Sequence, residues 1–317
     1  MSWLYQAFGW MLNVIYELIE NYGFSIILLT LVIKIIVLPL TLKQQKAMTK
    51  MQRMQPKLKE IQEKYKDDKD KTAQETMKLY KEYGVSPMGG CLPLLIQFPI
   101  LIAFYQVIQK PCQYMLGMGE KALNEAFKMY NISSKSSGAQ IKLAEAMGDI
   151  NFDFFKIDLS AVPWDEVKSF MSGNLTWVVA LIAMIIPILA CVTTYLTSKV
   201  STALNQTKKD ESKPDEKPKR VLNPDAKKAS EGTGESVGKT MNMIMPVMTF
   251  FLTMTFPAAL GLYWTASNVL SMVQTVLLNG YYNRKLALEI EIQDDIHRKK
   301  VEEKMKKYNM KKKKRGF

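Results

Sequence analysis

The chain has little of what a hydrolytic active site requires. Its 317 residues include one histidine, His297, and three cysteines, Cys91, Cys112 and Cys191. A single histidine in a basic tail cannot build a Ser-His or Cys-His pair inside a membrane, and HExxH zinc spacing does not occur. Three cysteines, two of them in apolar stretches, provide neither a disulfide framework nor paired metal-ligand spacing. Lys and Arg are missing from residues 1–23, so a signal peptide with a basic n-region is not expected, nor is cleavage there. Charge is nearly missing from four long stretches, 24–42, 88–108, 174–198 and 240–282, which hold one charged residue between them, Lys34. Because none contains Asp or Glu, an intramembrane aspartyl protease and a carboxylate proton relay are excluded. The expectation is a protein that is not an enzyme and has no metal and no cofactor.

What is present is apolar length. A helix rises about 1.5 Å per residue and the hydrocarbon core is about 30 Å thick, so runs of about 18 or more nearly charge-free residues read as membrane spans. The 43 residues of 240–282 would measure about 65 Å as one helix, twice what a bilayer needs. Pro257, within Phe256-Pro257-Ala258-Ala259, marks a reversal between two spans. The fold class is therefore an all-α polytopic membrane protein with five transmembrane helices: 24–42, 88–108, 174–198, 240–256 and 258–282.

The charges set the orientation. Segments 43–87, 199–239 and 283–317 carry 12, 10 and 13 Lys and Arg, whereas 109–173 has 7 against 8 acidic residues. Cytoplasmic segments carry the Lys/Arg excess, which puts the N-terminus and 109–173 outside and the C-terminus in the cytoplasm. In residues 1–23, Leu4, Phe8, Met11, Ile15 and Leu18 recur at helical spacing, as in an amphipathic helix lying in the outer interface. The outer segment 109–173 should hold a short helix near 121–129, and Phe152-Asp153-Phe154-Phe155 should rest on the headgroup layer.

Residues 43–87 read as a cytoplasmic helical hairpin around the turn Asp67-Asp68-Lys69-Asp70, with a bend at Pro56. Met48, Met51, Met54, Leu58, Ile61 and Tyr65 form an apolar face. It is either a seam against the second helix through Met77 and Tyr80, or a methionine-rich docking face (Met48, Met51, Met54, Met77) for clients or targeting factors. Segment 199–239, rich in Lys, Pro, Ser, Asp and Gly, reads as a disordered cytoplasmic linker. In the tail, Arg298, Lys299 and Lys300, then Lys311, Lys312, Lys313, Lys314 and Arg315, form basic clusters suited to anionic lipid or ribosomal RNA. They equally suit a solvated tail that only enforces topology.

Lys34 lies near the middle of the first span. A charge facing lipid there would cost roughly 2.5 to 3.5 kcal/mol. It can stay charged only where water reaches it, which implies a wet cavity lined by some of Gln97, Tyr105, Gln106, Thr193, Thr194, Tyr263, Trp264, Asn268 and Gln274. Each of these polar groups, taken singly, can equally serve as a helix-to-helix bond.

Four blocks carry a family resemblance: Ile26-Ile27-Leu28-Leu29-Thr30 through Lys34 to Leu38-Pro39-Leu40; Met54-Gln55-Pro56-Lys57 through Glu60-Ile61-Gln62-Glu63-Lys64-Tyr65; Gly90-Cys91-Leu92-Pro93-Leu94-Leu95-Ile96-Gln97-Phe98-Pro99-Ile100; and Phe256-Pro257-Ala258-Ala259-Leu260-Gly261-Leu262-Tyr263-Trp264. The sequence resembles the YidC-type membrane-protein insertases, in the shorter Gram-positive-like form without a large outer domain. The resemblance implies a five-helix core around a hydrophilic groove open to the cytoplasm and to lipid and closed outside. It implies insertion and chaperoning of client membrane proteins, with Lys34 in the place of the groove's usual Arg. Where many members have Gln before the basic residue that ends the third span, this chain has Thr197-Ser198 before Lys199, which adds Thr197 and Ser198 to the groove candidates. Nascent client membrane proteins and the lipid bilayer are the expected partners, with the ribosome and the secretion channel as further candidates and no DNA. The expected location is the bacterial plasma membrane. Two other readings stay open: a secondary transporter with Lys34 as substrate or proton site, and a Ser-Lys intramembrane protease using Lys34 with Ser267 or Ser271.

Overall fold

A computed structural model describes residues 2–66, 68–84, 92–136, 138–205 and 235–278, with isolated positions at 292, 299, 303, 306 and 310. Residues 206–234 of the expected linker and most of the basic tail lie outside the described residues, as do Cys91 and the side chains of Met48 and Pro56. The described chain forms two compact units. One gathers 2–40, 93–201 and 235–274; the other takes in 41–66, 68–84, 202–205 and 275–278.

The first unit begins with α1 (Ser2–Ile19) and α2 (Tyr22–Lys64), the latter running on into the second unit. Between them Glu20 takes a positive φ of 54°, and Asn21 then caps α2, its Oδ1 accepting from Phe24 N–H at 3.0 Å. That side chain satisfies one of the donors a helix start leaves unpaired. Next come α4 (Leu92–Gln109), α5 (Pro111–Tyr114), α6 (Glu120–Met129) and α7 (Ala139–Met147); α3 (Lys69–Glu82) belongs to the second unit. A two-stranded antiparallel hairpin follows, β1 (Asp153–Phe154) and β2 (Ile157–Asp158), registered Asp153↔Asp158 and Phe154↔Ile157. Its turn puts both Phe155 and Lys156 at positive φ, the requirement of the type I′ turn that matches strand twist. Then come α8 (Pro163–Met171), α9 (Trp177–Asn205), α10 (Glu235–Thr255) and a helix from 258 through 278, here α11.

Two helical segments among the described residues are long and apolar enough to cross a membrane, Tyr22–Ala47 and Trp177–Leu204, and Ile244–Thr255 is a shorter apolar one. The main core lies where segment 110–162 meets α1, α2, α4 and the start of α11. It includes Phe8, Leu12, Tyr22, Leu29, Phe104, Ile108, Leu143, Phe152, Leu159 and Tyr263. The reversal at Pro257 is held there by backbone. Ala258 N–H donates to Ala161 O and Ala259 N–H to Leu159 O, both at 2.9 Å. Loop 159–161 thus supplies the acceptors that the first turn of α11 needs, and Pro257 has no amide hydrogen to satisfy.

Several details differ from the sequence expectations. Most of the apolar face of α1 packs on protein: Phe8 and Leu12 are buried, with Leu4, Met11 and Ile15 against the same core, while Leu18 of that face stays exposed with Trp3 and Trp10. The reason is close approach, since Gly9 lies against the backbone of Tyr114, where a Cβ would stand 2.1 Å from the carbonyl oxygen. Phe152 is buried, its ring 4.9 Å from that of Tyr22, and Phe154 meets Phe24, leaving only Phe155 of the aromatic run outward at 75% exposure. Strand alternation explains this, because 152 and 154 share a face. Helix α9 runs on to Asn205 and α10 begins at Glu235, so both ends of the expected linker are helical.

Cys112 is fully buried, its thiol donating to Gln140 O at 3.2 Å. Burial, aided by the charge of Asp149, pushes the thiol up to about 11. The reactive thiolate is therefore scarce at neutral pH, and a membrane-impermeant maleimide should leave native Cys112 unlabelled from either side. A cysteine at exposed Ser133 should be labelled on intact cells, and one at Lys78, whose side chain is 64% exposed, only after the membrane is opened. Labelling at 78 from outside would overturn the orientation.

In the second unit, α2 pairs with α3 (Lys69–Glu82) through a seam of buried Met54, Leu58, Leu79 and Tyr83, with Met51, Ile61 and Tyr80 against it. The turn lies earlier than expected, beginning at Tyr65 and Lys66, because Asp68 caps α3 by accepting from Lys71 N–H at 2.9 Å. Lys69 and Asp70 are already helical. Lys57 closes the hairpin by donating to the Tyr83 hydroxyl, with its ammonium 4.8 Å from that ring's centre.

Candidate functional site

Helix α11 organises the polar groups of the first unit. Tyr263, Ser267 and Ser271 are spaced i, i+4 and i+8, which brings them onto one helix face, and Asn268 lies about 100° further round. Lys34 Nζ, from α2, donates to Ser271 Oγ at 2.7 Å. Ser271 Oγ donates in turn to the Ser267 carbonyl at 2.8 Å. One step further along the face, Gln97 Nε2 of α4 donates to the Tyr263 hydroxyl at 2.5 Å. On the other side, Asn268 Nδ2 donates to Thr194 Oγ1 at 2.8 Å and Thr193 Oγ1 at 3.3 Å, and Thr197 Oγ1 donates to Asn268 O at 3.2 Å. Together these bonds join α2, α4 and α9 to α11.

The electrostatics are one-sided. Lys34 is bound by a neutral hydroxyl, and no predicted span contains a carboxylate that could cancel its charge. Ser271 Oγ thus lies within hydrogen-bond distance of both the Lys34 ammonium nitrogen and the Ser267 carbonyl.

The remaining expected site residues are distributed around this ladder. Tyr105 packs edge-on against Phe256, and with Gln106 it lines a depression of about 1110 Å³ near Gln109, Lys110 and Trp10, whose lining does not include Lys34. Trp264, Ser198 and Gln274 are half-buried. Of the methionines, Met54 is buried in the hairpin seam, Met51 lies against it, and Met77 is 48% exposed. Lys299 is exposed, while Arg298, Lys300 and residues 311–315 lie outside the described residues.

Comparison with known proteins gives this arrangement a family. A family model described as the 60Kd inner membrane protein matches residues 14–285. The chain belongs to that family. Among its relatives, the membrane protein insertase YidC of Clostridium perfringens is 32% identical over 87% of this chain and 86% of its own length. Membrane protein insertase YidC 2 of Listeria innocua is 31% identical over 93% and 76% respectively. A solved structure described as an active YidC insertase with its first transmembrane domain resolved aligns with a TM-score of 0.46 and 23% identity, over 86% of this chain and 45% of that one. Membership of the YidC family makes this a membrane protein.

Within this member of the family, sequence reasoning missed one role. Ser271 was a candidate only as a nucleophile, yet it is the hydroxyl that holds Lys34. The spacing of Tyr263, Ser267 and Ser271 carried the signal, since three polar groups on one face of an apolar helix need partners on a neighbour.

Proposed function

We propose that this protein inserts client membrane proteins into the bilayer and helps them fold, through a five-span core whose hydrophilic groove opens to the cytoplasm. The observation that carries the reading is Lys34, a span charge held on a neutral hydroxyl, with no carboxylate against it among the described residues. No covalent chemistry is required. An uncompensated ammonium at that depth draws water between the helices, and water shortens the hydrocarbon path that a polar client segment must cross. The ammonium attracts acidic residues of the segment being moved, while the client's apolar helix slides along the exposed faces of neighbouring spans into lipid. The buried core that segment 110–162 shares with α1, α2 and α4 supports a groove that does not open on that side.

Family membership supports the activity, and the Lys/Arg distribution supports an outside N-terminus with a cytoplasmic hairpin, linker and tail. The test is reconstitution of the purified full chain into liposomes with a small single-span client. Protease protection of the client's translocated segment should rise well above that in protein-free liposomes. Equal protection in both would refute insertion. Serine-reactive labelling that depends on Lys34 would instead favour a protease, and uptake of a small solute would favour a transporter.

A further inference from the structure

The insertase reading needs a positive charge that stays in the groove, and lysine does not ensure that by itself. Its stem is long and flexible, and a lysine placed within a span tends to carry its ammonium toward the nearer headgroup layer. We propose that Ser271 is a positioning residue that keeps the Lys34 ammonium at mid-depth and turned toward α11. This rests on the insertase reading and gives it a specific second residue.

Three features of the contact fit the role. The 2.7 Å distance is that of a charge-assisted hydrogen bond. Ser271 Oγ is also tied to the Ser267 carbonyl four residues back at 2.8 Å, which fixes the place of the hydroxyl on α11. The third is stoichiometry: an ammonium has three donors, and among the described residues the neutral Ser271 acceptor uses one of them. Positive charge and donors therefore remain for a client carboxylate. An aspartate at 271 would hold the lysine as well but would neutralise it, so the polar, uncharged nature of this partner is itself part of the device.

Three variants of the full chain in liposomes test the proposal: Ser271→Ala, Ser271→Thr and Ser271→Asp, compared for insertion per folded molecule on clients matched except for an acidic or neutral translocated segment. Ser271→Ala should lower insertion of the acidic client by roughly fivefold, the scale of losing one hydrogen bond to a charged group that water can partly replace, and should leave the neutral client unchanged. Thr, which keeps the hydroxyl, should restore it. Asp should reduce the acidic client at least as much as Ala does. In a Lys34→Ala background, Ser271→Ala should add no further loss, since the group it positions is gone. Wild-type behaviour of Ser271→Ala on the acidic client while Lys34→Ala is impaired would overturn this inference alone. Equal losses on both clients, or additive losses in the double variant, would also overturn it. Wild-type activity of Lys34→Ala on both clients would remove the groove-charge reading and this inference with it.

Discussion

Replacing Lys34 with Ala should lower insertion of a client with an acidic translocated segment by tenfold or more per folded molecule, and that of a matched neutral client by much less. The magnitude follows from Coulomb attraction. Opposite unit charges about 4 Å apart gain about 4 kcal/mol at an effective dielectric near 20, and a tenfold loss corresponds to about 1.4 kcal/mol, a modest part of that gain. Lys34→Glu should be worse still for the acidic client, because attraction becomes repulsion at short range. Lys34→Arg should preserve activity, since charge and depth survive and the guanidinium still has donors for Ser271. A purely structural role predicts losses that follow protein abundance with no client dependence. The comparison is made in liposomes with protein folded and quantified before each assay, and equal activity of Lys34→Ala and wild type on both clients would sink the groove-charge mechanism.

The second large effect is on stability. Gly9→Val should lift α1 from the core, because a Cβ at position 9 would stand 2.1 Å from the Tyr114 carbonyl oxygen and 2.4 Å from its carbon. Backbone cannot swing aside as a long side chain can, so two packed elements must separate. Overpacking of this kind typically costs 1 to 3 kcal/mol, and with rigid backbone as the obstacle about 3 kcal/mol is expected. Thermal unfolding in detergent should show a clearly lowered midpoint. Because α1 packs on α5, which carries the buried Cys112, maleimide labelling of that thiol should also rise. Gly119→Ala is the control: its Cβ would meet nothing within 4 Å, and midpoint and labelling should both stay as in wild type. An unchanged midpoint for Gly9→Val would mean that α1 does not pack as described.

Much of this protein was legible without coordinates, for reasons particular to membranes. A bilayer tolerates charge so poorly that Lys34 stands out from the sequence as the one residue needing an explanation. The same intolerance marks apolar length, so the helices of the long segments Tyr22–Ala47 and Trp177–Leu204 fall where the charge-free runs do. Local chemistry was legible too: the helix expected near 121–129 is Glu120–Met129, and the Asp-rich turn of the hairpin is present, shifted toward the N-terminus by the Asp68 cap. Other features depended on partners far away in the chain. An apolar stripe on α1 looks the same whether lipid or protein covers it, and the close approach of Gly9 to Tyr114 decides for protein. The exposure of Cys112 likewise turned on Gln140 and the surrounding core.

The sequence by itself determined that the chain carries apolar runs long enough for membrane helices and that Lys34 is the one charge within them. These conclusions rest on composition and spacing, which one-dimensional patterns carry in full. Only the tertiary structure decided which neutral group Lys34 meets, that Tyr105 and Gln106 line a depression apart from it, and that carbonyls of loop 159–161 cap the first turn of α11. A hydrogen bond is made over about 3 Å between residues 237 apart in sequence, and no local pattern records which two will meet.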